Sequence, residues 1–286
     1  MKKTLLLILF SSTIFFSQNE SDSTFGSLFI IGGGSRPDYM MKEFVDMAGG
    51  DKAKIIVVPM ASSEPVETGK YQSEQFIKFG ASADYILIDE KNYSESVLQK
   101  FNGATGVFFS GGDQRRLTER LLGTKILDII KEIFEEGGVI GGTSAGAAVM
   151  SSIMITGDEE VNKEDEKFID IRQKNIITTK GFGFIKNAII DQHFLYRKRH
   201  NRLISVVLEH PELIGIGIDE STAIILNSND SFEVLGENQV VVYSTNKKNI
   251  INTNDEGLFV AGNIKTDILT SGWRYDITNK TIVECN

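Results

Sequence analysis

Short runs of apolar residues, each closed by glycine, proline or a polar turn, recur along the chain. Leu28-Phe29-Ile30-Ile31 runs into Gly32-Gly33-Gly34-Ser35, and Lys54-Ile55-Ile56-Val57-Val58 stops at Pro59. Residues 85–88 and 106–109 repeat the form, and Val139-Ile140 leads into Gly141-Gly142. Such runs are too short for helices and predict strands buried on both faces. Helical spacing fills the gaps: Met40, Met41, Phe44, Val45 and Met47 form one stripe, residues 71–79 a second, and Leu117, Leu121 and Leu122 a third. Strands alternating with helices predict an α/β fold with a mostly parallel sheet sandwiched by helices. In that architecture functional sites lie beyond the carboxyl ends of the strands. Residues 188–191, 215–218 and 223–226 continue the strand pattern. From Ser231 the chain predicts a β-rich C-terminal part, with strands at 239–244, 257–260 and 273–277.

The first residues do not belong to this pattern. Met1-Lys2-Lys3 is basic, residues 4–16 are apolar apart from Ser11-Ser12-Thr13, and Ser17-Gln18-Asn19 follows. This is the form of a signal peptide over residues 1–17, too short for a comfortable membrane span. The expected product is one domain over residues 24–286, exported to the periplasm or beyond and not inserted in the membrane after cleavage. Removing residues 1–17 leaves 28 basic against 39 acidic side chains, so the charge moves from −9 to −11. So acidic a protein is not a general nucleic-acid or anionic-membrane binder. The single cysteine, Cys285, excludes an internal disulfide, and no Cys/His group has zinc spacing, so neither metal nor cofactor is expected.

Candidate chemistry centres on Gly142-Thr143-Ser144-Ala145-Gly146, which follows a strand and precedes Ala147-Ala148-Val149-Met150. G-x-S-x-G at a strand-to-helix turn is the pattern of a nucleophile elbow, with Ser144 lifted out of the sheet. The plain alternative is a glycine-rich turn with an N-capping serine. A dinucleotide-binding reading of Gly32-Gly33-Gly34-Ser35 fails, because Pro37 breaks the G-x-G-x-x-G spacing and no acid ends the second strand. Ser110-Gly111-Gly112-Asp113-Gln114 is a second strand-to-loop junction, able to offer a backbone N–H to an oxyanion and Gln114 to a substrate.

Of three histidines, His193 alone leaves the end of a strand-like run, so it is the favoured base over His200 and His210. Tyr196-Arg197-Lys198-Arg199-His200-Asn201-Arg202 is dense in cations for an acidic protein. It reads as a solvated helix start or as an anion clamp, in which Arg199 and Arg202 share a helix face. Asp219 and Glu220 follow a further strand, and alternation lets only one of them point at the site.

Taken together, Gly142-Thr143-Ser144-Ala145-Gly146-Ala147, Ser110-Gly111-Gly112-Asp113-Gln114, Asp191-Gln192-His193-Phe194 with Arg197, Arg199 and Arg202, and Gly217-Ile218-Asp219-Glu220 resemble the cyanophycinases. These belong to the peptidase E group of serine peptidases, whose fold is of the class I glutamine-amidotransferase type. The resemblance implies Ser144 as nucleophile, His193 as base, Glu220 as the orienting acid, and an oxyanion hole from the Gly112 and Ala145 N–H groups. It implies substrate contacts from Gln114, Asp191, Gln192, Arg197, Arg199 and Arg202, no cofactor, and a homodimer. The implied reaction is hydrolysis of cyanophycin, a polyaspartate whose β-carboxyls carry arginine, to β-Asp-Arg dipeptides through an acyl-enzyme. Two other readings share the fold: a peptidase E-like dipeptidase for aspartyl or isoaspartyl peptides, and a secreted non-catalytic homologue. An α/β-hydrolase esterase is disfavoured, since its histidine would follow the acid and none follows His210.

Overall fold

The computed structural model describes residues 26–89, 91–161, 168–227, 231–246 and 250–284. Residues 1–17, read as a signal peptide, and Cys285 lie outside them. The first half is strand and helix in alternation. Strands β1 (Ser27–Ile31), β2 (Lys54–Val58), β3 (Ser82–Tyr85), β4 (Gly106–Phe109) and β5 (Val139–Thr143) are separated by α1 (Asp38–Met47), α2 (Pro65–Lys78), α3 (Glu95–Lys100), α4 (Gln114–Leu121) and α5 (Lys125–Glu135). A four-residue helix, α6 (Ala145–Ala148), then leads to β6 (Ile153–Glu159), β7 (Ile176–Lys180), β8 (Ala188–Gln192), α7 (His200–Glu209) and β9 (Ile214–Ile218). The remainder is β10 (Thr222–Asn227), β11 (Ser231–Gly236), β12 (Val240–Ser244), β13 (Ile251–Thr253), β14 (Phe259–Ala261), β15 (Lys265–Leu269), β16 (Trp273–Asp276) and β17 (Thr281–Glu284).

A nine-stranded sheet runs β17-β16-β11-β10-β1-β5-β4-β2-β3. Its section from β1 to β3 is parallel, as the helical crossovers require, and the strands beyond β10 add antiparallel. A second sheet, β15-β12-β9-β8, pairs β8 and β9 in parallel. Buried residues of both sheets, among them Ile30, Ile140, Ile190, Ile216 and Val242, form one apolar cluster between them. Helix α6, buried at all four residues, sits in that layer. A second cluster lies on the other face of the large sheet under α1 and α2. There Phe44 stands 5.7 Å from Phe29 and 5.3 Å from each of Phe76 and Phe108, centroid to centroid. Helix α7 covers the outer face of the second sheet through Leu203, Val206 and Val207.

The expected third strand at 85–88 is displaced to Ser82–Tyr85. It is an edge strand with alternating exposure, whereas Ile86 and Ile88 are buried by core packing just beyond it, so the apolar run marks the core and not the ladder. Among the described residues no helix is long and apolar enough to cross a membrane. Truncating Phe44→Ala should remove the centre of the aromatic cluster and cost about 3–5 kcal/mol. Equilibrium urea unfolding followed by circular dichroism reads this directly; an unchanged midpoint would contradict the packing described.

Candidate active site

Three consecutive carbonyls at the end of β1 gather the site. Ile31 O accepts from Ser144 N at 3.0 Å, Gly32 O from His193 N at 2.8 Å and Gly33 O from Ser221 N at 2.9 Å. The segments carrying Ser144, His193 and Glu220 are thereby tied to one short stretch of backbone.

Ser144 occupies a strained turn between β5 and α6, with φ 52° and ψ −108°. Positive φ is costly for a residue with a Cβ and persists only where the surroundings enforce it. Here the enforcement is contact: a Cβ on Gly142 would lie 2.4 Å from Gly146 O, and one on Gly146 would lie 2.3 Å from Phe109 O. The turn is thus packed against itself and against β4. His193 follows β8 at φ 49°, and its ring rests on the α-carbon of Gly33, where an added Cβ would meet Cε1 at 2.3 Å. Glu220 follows β9, its side chain against Gly34.

The three side chains form one hydrogen-bonded line. Ser144 Oγ lies 2.8 Å from His193 Nε2, and His193 Nδ1 lies 2.6 Å from Glu220 Oε1. The ambiguity between Asp219 and Glu220 resolves by direction. Asp219 is buried and accepts from Tyr196 N at 2.9 Å, holding the basic turn, while Glu220 takes the imidazole. Burial lowers the His193 pKa below 6.5, the Glu220 hydrogen bond raises it, and the Arg197 and Arg199 charges lower it further. The net direction is down, so the ring is neutral near pH 7 and able to accept a proton.

Beside Ser144, the Gly111–Gly112 turn comes within van der Waals contact; a Cβ on Gly111 would sit 3.5 Å from Ser144 Cβ. Gly112 has φ 137° and lies so close to Ala61 O, 2.1 Å from an added Cβ, that only glycine fits. Among the described residues neither the Gly112 nor the Ala145 N–H is taken by a backbone acceptor, so both remain available to a ligand oxygen.

The remaining expected contacts divide into two groups. Arg197 is exposed at the mouth, its N–H bonded to His193 O at 2.9 Å. Arg199 is partly buried and donates from Nη1 to Gln192 O at 2.6 Å and to Gln192 Oε1 at 2.8 Å. Burial, with Arg202 nearby, pulls its pKa down to about 10, so it stays cationic at neutral pH. Asp191 and Arg202 do not offer a ligand the surface expected of them. Both are almost fully buried and face each other: Arg202 Nε donates to Asp191 Oδ2 at 2.7 Å, and its Nη2 bonds Asp191 Oδ1 and, at 3.0 Å, Gln192 Oε1. Their role is to brace Gln192 and Arg199 from behind. Gln114 is buried too, and spends its amide nitrogen on Ile155 O at 2.9 Å and Thr156 O at 2.6 Å, tethering β6.

His200 bonds Tyr243 OH at 2.7 Å, and His210 pairs with Glu212 at 3.7 Å. Both are occupied apart from the line. Asn238 was not foreseen in the sequence; its Nδ2 donates to Glu220 O at 2.7 Å and helps fix the acid's backbone. No three His, Cys, Asp or Glu side chains cluster as metal ligands among the described residues.

Comparison with known proteins places the chain in a family. The sequence profile of peptidase family S51 matches residues 28–234. A cyanophycinase of Trichormus variabilis is 34% identical over 251 residues, covering 85% of this chain and 82% of its own. That of Geminocystis herdmanii is 33% identical over 264 residues, 87% of this chain and 93% of its own. Among solved structures, a peptidase from an acI-B1 Actinobacterium aligns with TM-score 0.64 at 22% identity over 89% of this chain and 98% of its own, a likeness of fold. The chain belongs to peptidase family S51, as a serine-type peptidase of cyanophycinase kind.

Proposed function

We propose that this protein is an exopeptidase that degrades cyanophycin, multi-L-arginyl-poly-L-aspartate, to β-Asp-Arg dipeptides. The observation that carries the reading is the unbroken line from Ser144 Oγ through His193 to Glu220, at 2.8 and 2.6 Å. His193 Nε2 accepts the Ser144 proton as Oγ attacks the backbone carbonyl carbon. The oxyanion is held by the Gly112 and Ala145 N–H groups. Collapse breaks the C–N bond; the departing amine takes the proton from His193 and leaves an ester on Ser144. Water, deprotonated by the same nitrogen, then attacks the ester and frees the enzyme. Glu220 keeps the Nδ1 proton in place and stabilises the imidazolium during both steps.

Substrate class follows from the relatives' names and from local charge. In this polymer the backbone β-carboxyls are spent on amide bonds, so the free carboxylates are those of the arginine branches and of the chain end. Arg197 and Arg199, with Gln192, supply cationic and polar donors for one of these. The fold is read as of the class I glutamine-amidotransferase type, with the serine turn following the parallel strand β5. Export through residues 1–17 and a homodimer complete the reading, and suit an enzyme that meets polymer released by other cells.

Purified protein incubated with cyanophycin should release β-Asp-Arg, identified by mass spectrometry, and Ser144→Ala should lower kcat by about a thousandfold or more. Cleavage of aspartyl dipeptides but not of the polymer would transfer the reading to a peptidase E-like dipeptidase.

The pH profile supplies a separate check. Because neutral His193 is the working form and its pKa is lowered, kcat/KM should rise through a midpoint below pH 6.5. Arg199→Gln removes a cation that disfavours the imidazolium, so its limb should move to higher pH. Glu220→Gln removes the stabilising partner, so that limb should move lower while kcat falls about a thousandfold or more. Limbs that stay put in both variants would separate the titration from His193.

A further inference from the structure

The loop after β1 does more than support the line of side chains. Beyond Gly34, which touches Glu220, two further residues reach Arg36 within about 7 Å of chain. Arg36 is partly buried, and among the described residues no carboxylate pairs with it. Its Nη2 donates to Gln75 Oε1 at 3.2 Å, and Gln75 Nε2 donates to Tyr71 OH at 3.2 Å, which places the phenol close enough to favour the guanidinium charge. Burial lowers the Arg36 pKa, a cost that neutral partners offset only in part. A planar group with five donors is held on one neutral acceptor, itself braced by Tyr71, which leaves donors for an anion.

The surface around Arg36 is built by the facing ends of α1 and α2. The last residue of α2, Lys78, pairs with Asp38 at the first turn of α1 at 2.5 Å. Tyr71, seven residues earlier, therefore lies about 10 Å further along the axis. It is 56% exposed, so this half of α2 forms a wall next to the loop. Exposed Tyr39, three residues beyond Arg36, lies close enough to Glu237 to feel its charge, and Glu237 is next to Asn238, which holds Glu220. Cation, aromatic rings and anion thus line one stretch of rim. An arginine branch with a free α-carboxylate presents the complementary set.

We propose that Arg36, braced by Gln75 and Tyr71, forms a second subsite that binds the free carboxylate of the arginine branch next to the unit being cleaved, with Tyr39 and Glu237 facing that branch's guanidinium. The assignment rests on the cyanophycin reading, and its test separates the two. Two peptides of two β-Asp-Arg units are compared, the second with agmatine replacing the neighbouring arginine so that only its carboxylate is missing. The native enzyme should favour the carboxylated peptide by about tenfold to a hundredfold in kcat/KM. Arg36→Gln should erase that preference, and Arg36→Lys should retain part of it. The same pair is titrated calorimetrically against Ser144→Ala with and without Arg36→Gln. If the native enzyme cleaves neither peptide, the substrate reading fails, while a carboxylate preference in Kd that depends on Arg36 still supports the subsite. Equal discrimination with and without Arg36, or no binding of either peptide, would overturn it.

Discussion

A serine hydroxyl, an imidazole and a carboxylate converge within a side chain's length, although they lie 49 and 27 residues apart along the chain. The convergence depends on the carbonyls of Ile31, Gly32 and Gly33, each taking an N–H from a different one of the three segments. Such closeness of backbone to backbone leaves no volume for side chains on the central strand's end. Gly33 and Gly34 are therefore fixed by what lies on top of them, the His193 ring and the Glu220 side chain. The positive φ angles of Ser144, His193 and Ser221 show the reverse side of this arrangement. Local conformational preference yields at each of the three joints because tertiary contact holds it.

Behind this arrangement stands a buried ion pair whose work is indirect. Asp191 and Arg202 are almost fully hidden, and the geometry between them is closely bidentate. Arg202 also touches Gln192 and lies 5.0 Å from the Phe168 ring, so its charge is neutralised, hydrogen-bonded and capped. A buried pair of this type is weak evidence of stability. Here it sets the angle of Gln192, and Gln192 sets that of Arg199. The positive field at the mouth thus comes mainly from Arg199 and Arg197, which also hold the His193 pKa down.

Much of this was legible in the chain because several signals were local. Apolar runs marked β1, β2, β4 and β8 within a residue, and the glycine pattern marked the serine turn. Where the reading failed, a non-local term decided. The edge strand β3 carries a half-exposed alternation, and its apparent strand was core packing beyond it. Strands β6, β7, β15 and β17 escaped notice because their burial is partial and set by partners far along the chain. Spacing alone left Asp219 and Glu220 equivalent; only the Tyr196 N–H, brought in by the basic turn, separates them. Arginines are also read poorly from sequence, since a guanidinium on a carboxylate and one on a ligand look alike until burial is known. Arg202 turned out to be the first kind.

The two sheets also divide the chemistry between them. Ser144 leaves the nine-stranded sheet, His193 leaves the four-stranded one, and Glu220 lies on the crossing from β9 to β10 that joins the two. Neither sheet carries all three members of the line. On the proposed mechanism, turnover is therefore a gauge of the seam: a loosening of an ångström or so between layers would silence the enzyme while each layer kept its ladder. Heat, denaturant or a poorly packed variant should thus extinguish hydrolysis ahead of any spectroscopic sign of unfolding, and the apolar contacts around α6 carry that early failure.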